Sequence, residues 1–262
     1  MEKARIVPDI SNVESITKIL KQFRLSAMAN ALEEDLNNPV SMTLPFTERF
    51  GKIVMAEYNF RSTNKVRKYV KAANLKMPSA DFNNLYGNVN RSMNMEMLMN
   101  LACVDWIGAR QNVIITGPSG CGKTWISNAL AVRACEKYMN VRFHSTGKLL
   151  LELRTYEPGE YLQKLRELTK PDLLILDDVG LMTLDLDSCR IFFEIMDSRY
   201  KSGSTMFISN LPVASWYGLF ANKTYAEAVL SRTLENAYRL EIKGEDLRIS
   251  RNTQGMEAEE IA

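Results

Sequence analysis

The segment Gly117-Pro118-Ser119-Gly120-Cys121-Gly122-Lys123-Thr124 constrains this chain more than any other, because it admits few backbone solutions. It follows the apolar run Asn112 to Thr116 and precedes a helical stretch from Trp125 to Met139, so strand, glycine-rich loop and helix stand in that order. Glycines at 117, 120 and 122 let successive backbone N–H groups close around phosphate oxygens at a helix N-terminus, where the helix dipole favours negative charge. In that reading Lys123 reaches the β and γ phosphates of ATP and the Thr124 hydroxyl holds Mg²⁺. A plain glycine-rich turn is the alternative, and the flanking strand and helix speak against it.

A metal held by one hydroxyl needs a carboxylate, and Leu173-Leu-Ile-Leu-Asp177-Asp178 supplies two at the end of an apolar strand. Asp177 is assigned to Mg²⁺ and its waters; Asp178 is assigned to the attacking water, as general base or through a hydrogen bond. The run Thr205 to Ser209 leads into Asn210, a polar side chain placed to sense the γ phosphate, although an Asn before Pro212 also suits a turn. Arg232, in Leu230-Ser-Arg-Thr-Leu234, is a candidate arginine finger directed into a neighbouring subunit's ATP site, which requires a homo-oligomer; a solvated helix face is the bland alternative. Arg248 is a candidate for phosphate contact in cis.

Around these motifs the chain has two grammars. From Val13 to Trp106 apolar residues recur near the 3.6 period, with Pro39 and Pro45 as punctuation, a long stretch from Phe46 to Ala73, a connector from Pro78 to Asn94 and a helix from about Met95 to Trp106. Beyond Gly108, short apolar runs at Asn112 to Thr116, Val141 to Ser145, Leu173 to Asp177, Thr205 to Ser209 and Arg239 to Ile242 alternate with helical stretches. Alternation of this kind predicts an α/β fold with a central parallel five-stranded sheet covered by helices on both faces, preceded by a small all-helical domain. The expected divisions are 1–106, 107–251 and a flexible tail at 252–262.

The 262 residues are 46% hydrophobic and 24% charged, which is ordinary for a globular chain and excludes a mostly disordered one. Net charge is +2, so nucleic-acid affinity would have to come from local clustering. Arg61, Lys65, Arg67, Lys68 and Lys71 form such a cluster within one helical stretch, with only Glu57 nearby, and phosphate contacts would explain it. A solvated helix face remains the alternative. Cys103, Cys121, Cys135 and Cys189 are widely spaced and His144 is the single histidine, so a zinc site is not expected; His144 reads as a satisfied strand-end residue. No apolar run approaches the roughly 18 residues of a membrane span, and a cytoplasmic location with no membrane partner is expected.

Taken together, GPSGCGKT, LLILDDVG, FISNLP and VLSRTLENAYRLEIKGEDLR resemble the IstB-like helper ATPases of bacterial insertion sequences, and are similar to DnaC-type helicase loaders. The resemblance extends to LSAMANALEEDL, LPFTERF and AEYNFRSTNKVRKYVKAANL, and spans roughly Leu20 to Arg251. It implies an AAA+ domain with its P-loop at Gly117 to Thr124, Walker B acids at Asp177 and Asp178, sensor 1 at Asn210, the finger at Arg232 and a sensor-2-like arginine at Arg248. It also implies a chain without the C-terminal helical lid domain many AAA+ proteins carry. The implied partners are double-stranded DNA, on which the oligomer assembles with ATP, and a transposase to which it presents target DNA. In the initiator and loader branch a helix after the second strand faces the central DNA, which adds Lys148 and Arg154 as DNA contacts. Two other functions stay open: a replicative helicase loader, and a P-loop small-molecule kinase, which the strand-end acids and the helical N-terminal part disfavour.

Overall fold

The computed structural model describes residues 12–82 and 92–244. They fall into two compact units that divide between Arg67 and Lys68. In the first unit, α1 (Val13–Gln22) and α2 (Ser26–Asn37) pair as a hairpin and α3 (Phe46–Ala73) begins. Asn12 caps α1 by accepting from the Ser15 N–H at 2.7 Å, which satisfies one of the helix's orphan donors. Glu57 on α3 accepts from the Met28 N–H at the start of α2 and from Arg61, so a buried carboxylate ties two helices together.

In the second unit the helix expected from Met95 to Trp106 is two: α4 (Met95–Ala102) and α5 (Asp105–Gly108). The break lies at Val104, whose φ of 57° is outside helical space. The sheet has five strands: β1 (Val113–Thr116), β2 (Val141–Ser145), β3 (Leu173–Val179), β4 (Ser204–Ser209) and β5 (Tyr238–Glu241), in the order β2-β3-β4-β1-β5. All neighbouring pairs are parallel. The connections are α6 (Lys123–Glu136), α7 (Thr146–Leu153) with α8 (Pro158–Thr169), α9 (Leu186–Arg199) and α10 (Lys223–Leu234). This is the AAA+ P-loop architecture implied by the resemblance.

The two-residue period of the strands divides the core in two. Val113, Ile115, Leu173, Ile175, Met206 and Ile208 pack on one face with α6, whereas Ile114, Leu174, Leu176 and Phe207 pack on the other with α7, α9 and α10. Leu98, Leu101, Trp106 and Ile107 belong to the first of these clusters. The described residues 68–82 and 92–108 therefore belong to the sheet-bearing unit, and the compact division falls well before the residue-106 boundary expected from helical periodicity. Periodicity reports the type of element and says nothing about which core receives it. Among the described residues no helix is long and apolar enough to cross a membrane.

Arg199, at the end of α9, is 1% exposed. Its guanidinium donates to the carbonyls of Leu168 (2.7 Å), Pro171 (3.1 Å) and Ser204 (2.6 Å) and to Thr205 Oγ1 (3.1 Å), joining the chain before β3 to the start of β4. Arg199→Met would keep the apolar stem but remove the guanidinium and orphan these carbonyls, and should cost about 3 kcal/mol. The check is the urea midpoint, and an unshifted midpoint would mean that water satisfies them.

Candidate active site

Parallel pairing sets the site. Thr116 is in register with Ser209 of β4, and Ser209 with Val179 of β3, so the loop after β1, the acids ending β3 and the residue after β4 all emerge at the same edge of the sheet. In open α/β sheets this carboxyl edge is where ligands bind. Here a cleft of about 390 Å³ is lined by Ser119, Gly120, Gly122, Lys123, Thr124, Asp177, Asp178 and Asn210, with Lys76, Met77 and Trp125.

The loop closes as its composition requires. Gly117, Gly120 and Gly122 have φ of 151°, 77° and 96°, in the region open to glycine. A Cβ on Gly117 would stand 2.2 Å from the Ile242 carbonyl oxygen, because the Ile242 N–H donates to Thr116 and holds the end of β5 against the loop. Cys121 is fully buried, and α6 begins at Lys123 with Gly122 as its cap. Lys123 Nζ donates to the carbonyls of Gly117 (2.8 Å) and Pro118 (2.6 Å). Its ammonium therefore lies inside the loop, where phosphate oxygens could replace those carbonyls.

Asp177 is 1% exposed and its two oxygens are used differently. Oδ1 accepts from the Asp178 N–H at 3.0 Å; Oδ2 accepts from Thr124 Oγ1 at 3.4 Å and from Lys76 Nζ at 2.7 Å. Its main-chain oxygen accepts from Thr146 Oγ1 at 2.8 Å, which fixes the strand end. Strand alternation would aim Asp177 and Asp178 at opposite faces. Instead β3 bulges between Leu176 and Val179, and Asp178 takes a φ of 63°, a conformation Asp tolerates better than most residues. Both carboxylates then face one cation: Lys76 Nζ is also 3.3 Å from Asp178 Oδ2. Burial acts to lower the Lys76 pKa, but its hydrogen bond to Asp177 and the charges of Asp177 and Asp178 outweigh that and raise it. Thr124 Oγ1 and Asp177 Oδ2 form a hard oxygen pair 3.4 Å apart, and closing by about half an ångström would make them adjacent octahedral ligands of Mg²⁺. Among the described residues no group of three His, Cys, Asp or Glu could hold a metal alone, so phosphate and water oxygens would complete the shell.

The other expected residues are placed as follows. Asn210 is exposed at the cleft. Arg232 lies at the other end of the sheet: Asn112, just before β1, donates to the main-chain carbonyls of Arg232 and Thr233. The Arg232 guanidinium pairs with Asp197 at 2.8 Å and covers the rings of Phe193 and Tyr200. Arg248 lies outside the described residues. Arg61 is half-exposed, pairing with Glu57 at 2.8 Å and donating to the Arg24 carbonyl, while Lys65 and Arg67 in the first unit and Lys68 and Lys71 in the second are exposed. Lys148 is exposed on α7, whereas Arg154, capping that helix, pairs with Asp185 and Asp187. His144 is half-buried at the end of β2, and burial pushes its imidazole below the usual value. Sequence reasoning did not single out Lys76. It stands three residues past α3 with no motif around it, and only the fold brings it to Asp177.

Gly117→Ala puts a methyl group into the Ile242 carbonyl at a φ that L-residues avoid, and is expected to abolish binding of a fluorescent ATP analogue while Gly51→Ala, in open space, leaves it intact. Equal binding by both variants would show that the loop tolerates a Cβ.

Comparison with known proteins agrees with this geometry. The sequence profile described as IstB-like ATP binding protein matches residues 18–255. An insertion sequence ATP-binding protein of Sinorhizobium fredii is 34% identical over 87% of this chain and 94% of its own length. The insertion sequence IS1162 ATP-binding protein of Pseudomonas fluorescens is 38% identical over 74% and 84%. Among solved structures, that of DnaI is 20% identical with a TM-score of 0.52, covering 69% of this chain and 92% of DnaI, and a DNA replication initiation factor is 19% identical with a TM-score of 0.52, covering 64% and 50%; at these identities the likeness is one of fold. With a profile that spans most of its length and relatives above 30% identity, this chain belongs to the IstB-like ATP-binding protein family.

Proposed function

We propose that this protein is a cytoplasmic Mg²⁺-dependent ATPase that assembles as a homo-oligomer on double-stranded DNA and helps a partner transposase engage target DNA. The observation that carries the ATPase part is the convergence of Lys123, Thr124, Asp177, Asp178 and Asn210 at one sheet edge. The insertion-sequence names of its relatives support the transposition part.

In this reading the backbone N–H groups of residues 117–124 and the α6 N-terminus hold the phosphates, and Lys123 exchanges two loop carbonyls for β and γ oxygens. Bound Mg²⁺ would supply charge neutralisation between the phosphates, held by Thr124 and Asp177. Asp178, more exposed than Asp177, takes a hydrogen bond or proton from the attacking water, and Asn210 orients that water against the γ phosphate. Arg232 sits at the opposite end of its own sheet, so it can serve only a neighbour's ATP, after leaving Asp197. Arg248 would contact phosphate in cis.

The helical N-terminal residues, 1–106 in the sequence division, supply the DNA and partner surface, with Arg61, Lys65, Arg67, Lys68 and Lys71 on phosphates and Lys148 and Arg154 as further contacts. Arg154 would first have to release its two acids. A helicase loader is the second reading, supported by the fold likeness to DnaI.

Sizing the purified protein on a short duplex tests the proposal: a large complex is expected with ATP and Mg²⁺ but not with ADP, and should weaken as salt rises. Assembly only on single strands would favour the loader. Asp178→Asn should keep ATP binding, lower hydrolysis by about 10²-fold or more and trap the assembled form; wild-type turnover would remove Asp178 from its role.

A further inference from the structure

Lys76 reaches the acids from a segment that is itself anchored to the ATP-binding helix. The Met77 N–H donates to Asn128 Oδ1 of α6 at 3.1 Å, the Ala80 N–H to the Met77 carbonyl at 3.1 Å, and Ala80 and Phe82 are buried. The stem of Lys76 crosses near the Phe143 ring, with Nζ 5.5 Å from its centroid, before the ammonium meets Asp177 Oδ2 at 2.7 Å and Asp178 Oδ2 at 3.3 Å. This is a built contact, fixed at its backbone, and the shorter of its two bonds goes to one buried atom.

That atom is Asp177 Oδ2, which also accepts from Thr124 Oγ1 and which the metal reading assigns to Mg²⁺. A magnesium ion binds its oxygens at about 2.0–2.1 Å, and an ammonium hydrogen-bonded to the same oxygen brings a second positive charge within a few ångströms of the ion. Each cation therefore weakens the other's hold on that oxygen. A carboxylate buried as deeply as Asp177 needs a cation beside it, and Lys76 provides one without metal. Lys76 keeps 44% of its side chain exposed, so its flexible stem has room to withdraw.

We propose that Lys76 is an internal counter-cation that competes with Mg²⁺ for Asp177, so that loading of Mg-ATP requires its release. The inference rests on the Mg²⁺ reading of the preceding subsection. It adds a threshold: the site holds itself closed to metal until nucleotide and Mg²⁺ arrive together, and the Lys76 stem is the part that must give way.

The test follows binding of a fluorescent ATP analogue to the full chain as Mg²⁺ is titrated from EDTA, for wild type, K76M and K76R. K76M removes the charge and should lower the half-saturating Mg²⁺ concentration by on the order of tenfold, as expected for a partly buried ion pair. K76R keeps the charge and should stay near wild type. Without Mg²⁺, K76M should also melt below wild type, and Mg²⁺ with the analogue should close that gap; K76Q serves for the titration if K76M melts below the assay temperature. An unchanged or weakened Mg²⁺ response in the neutral variants would overturn the inference, as would an equal shift in K76R. Analogue binding indifferent to Mg²⁺ in wild type would overturn the metal reading and this inference with it, an outcome distinct from failure of the Lys76 role alone.

Discussion

The parallel register of β3, β4 and β1 is the constraint on which the cleft depends. Thr116 aligned with Ser209, and Ser209 with Val179, bring a loop, a pair of acids and an asparagine from three distant parts of the chain to a single edge. A slip of one residue in any pair would turn its alternating apolar side chains from one core cluster to the other, so the packing of Ile114 and Phe207 against α9 and α10, and of Ile115 and Ile208 against α6, protects the alignment. Stability and the site geometry are thus served by the same contacts.

At that edge the dominant energetic fact is a nearly inaccessible carboxylate. Its hydrogen-bond partners are the Asp178 N–H, Thr124 Oγ1 and the Lys76 ammonium, the compensation a buried carboxylate requires. Each partner comes from a different segment, so one oxygen pair is tied to the P-loop helix, to the strand-end bulge and to the segment after α3. The left-handed turn at Asp178 is what allows two consecutive acids to share a cation, a feature no regular strand would permit.

The arginines show how context redistributes charges that look alike along the chain. Arg199 is buried and bound to carbonyls, Arg154 is held by two acids, Arg232 lies on aromatic rings beside Asp197, and Arg61 pairs with Glu57. Only the first is committed wholly to structure by its burial. Arg154 and Arg232 are surface pairs that ligand or partner charges can outcompete at small cost, whereas releasing Arg61 would leave the buried Glu57 without its cation.

The strand-loop-helix grammar around Gly117 to Thr124, the five apolar runs and the acids ending Leu173-Leu-Ile-Leu were legible because each is local: a loop that needs positive φ needs glycine, a doubly covered strand needs an unbroken apolar run, and a period near 3.6 needs only neighbouring residues. The helical stretch Phe46 to Ala73 was legible for the same reason. The break at Val104, the membership of α4 and α5 in the core of the sheet-bearing unit and the pairing of Lys76 with Asp177 across 101 positions were not. Those depend on which surfaces meet after the chain has folded. The amino-acid sequence alone determined the nucleotide loop, the acids and the order of elements; the tertiary structure alone decided strand order, the division between units and the cation at Asp177, because a contact between distant residues leaves no periodic trace in either of them.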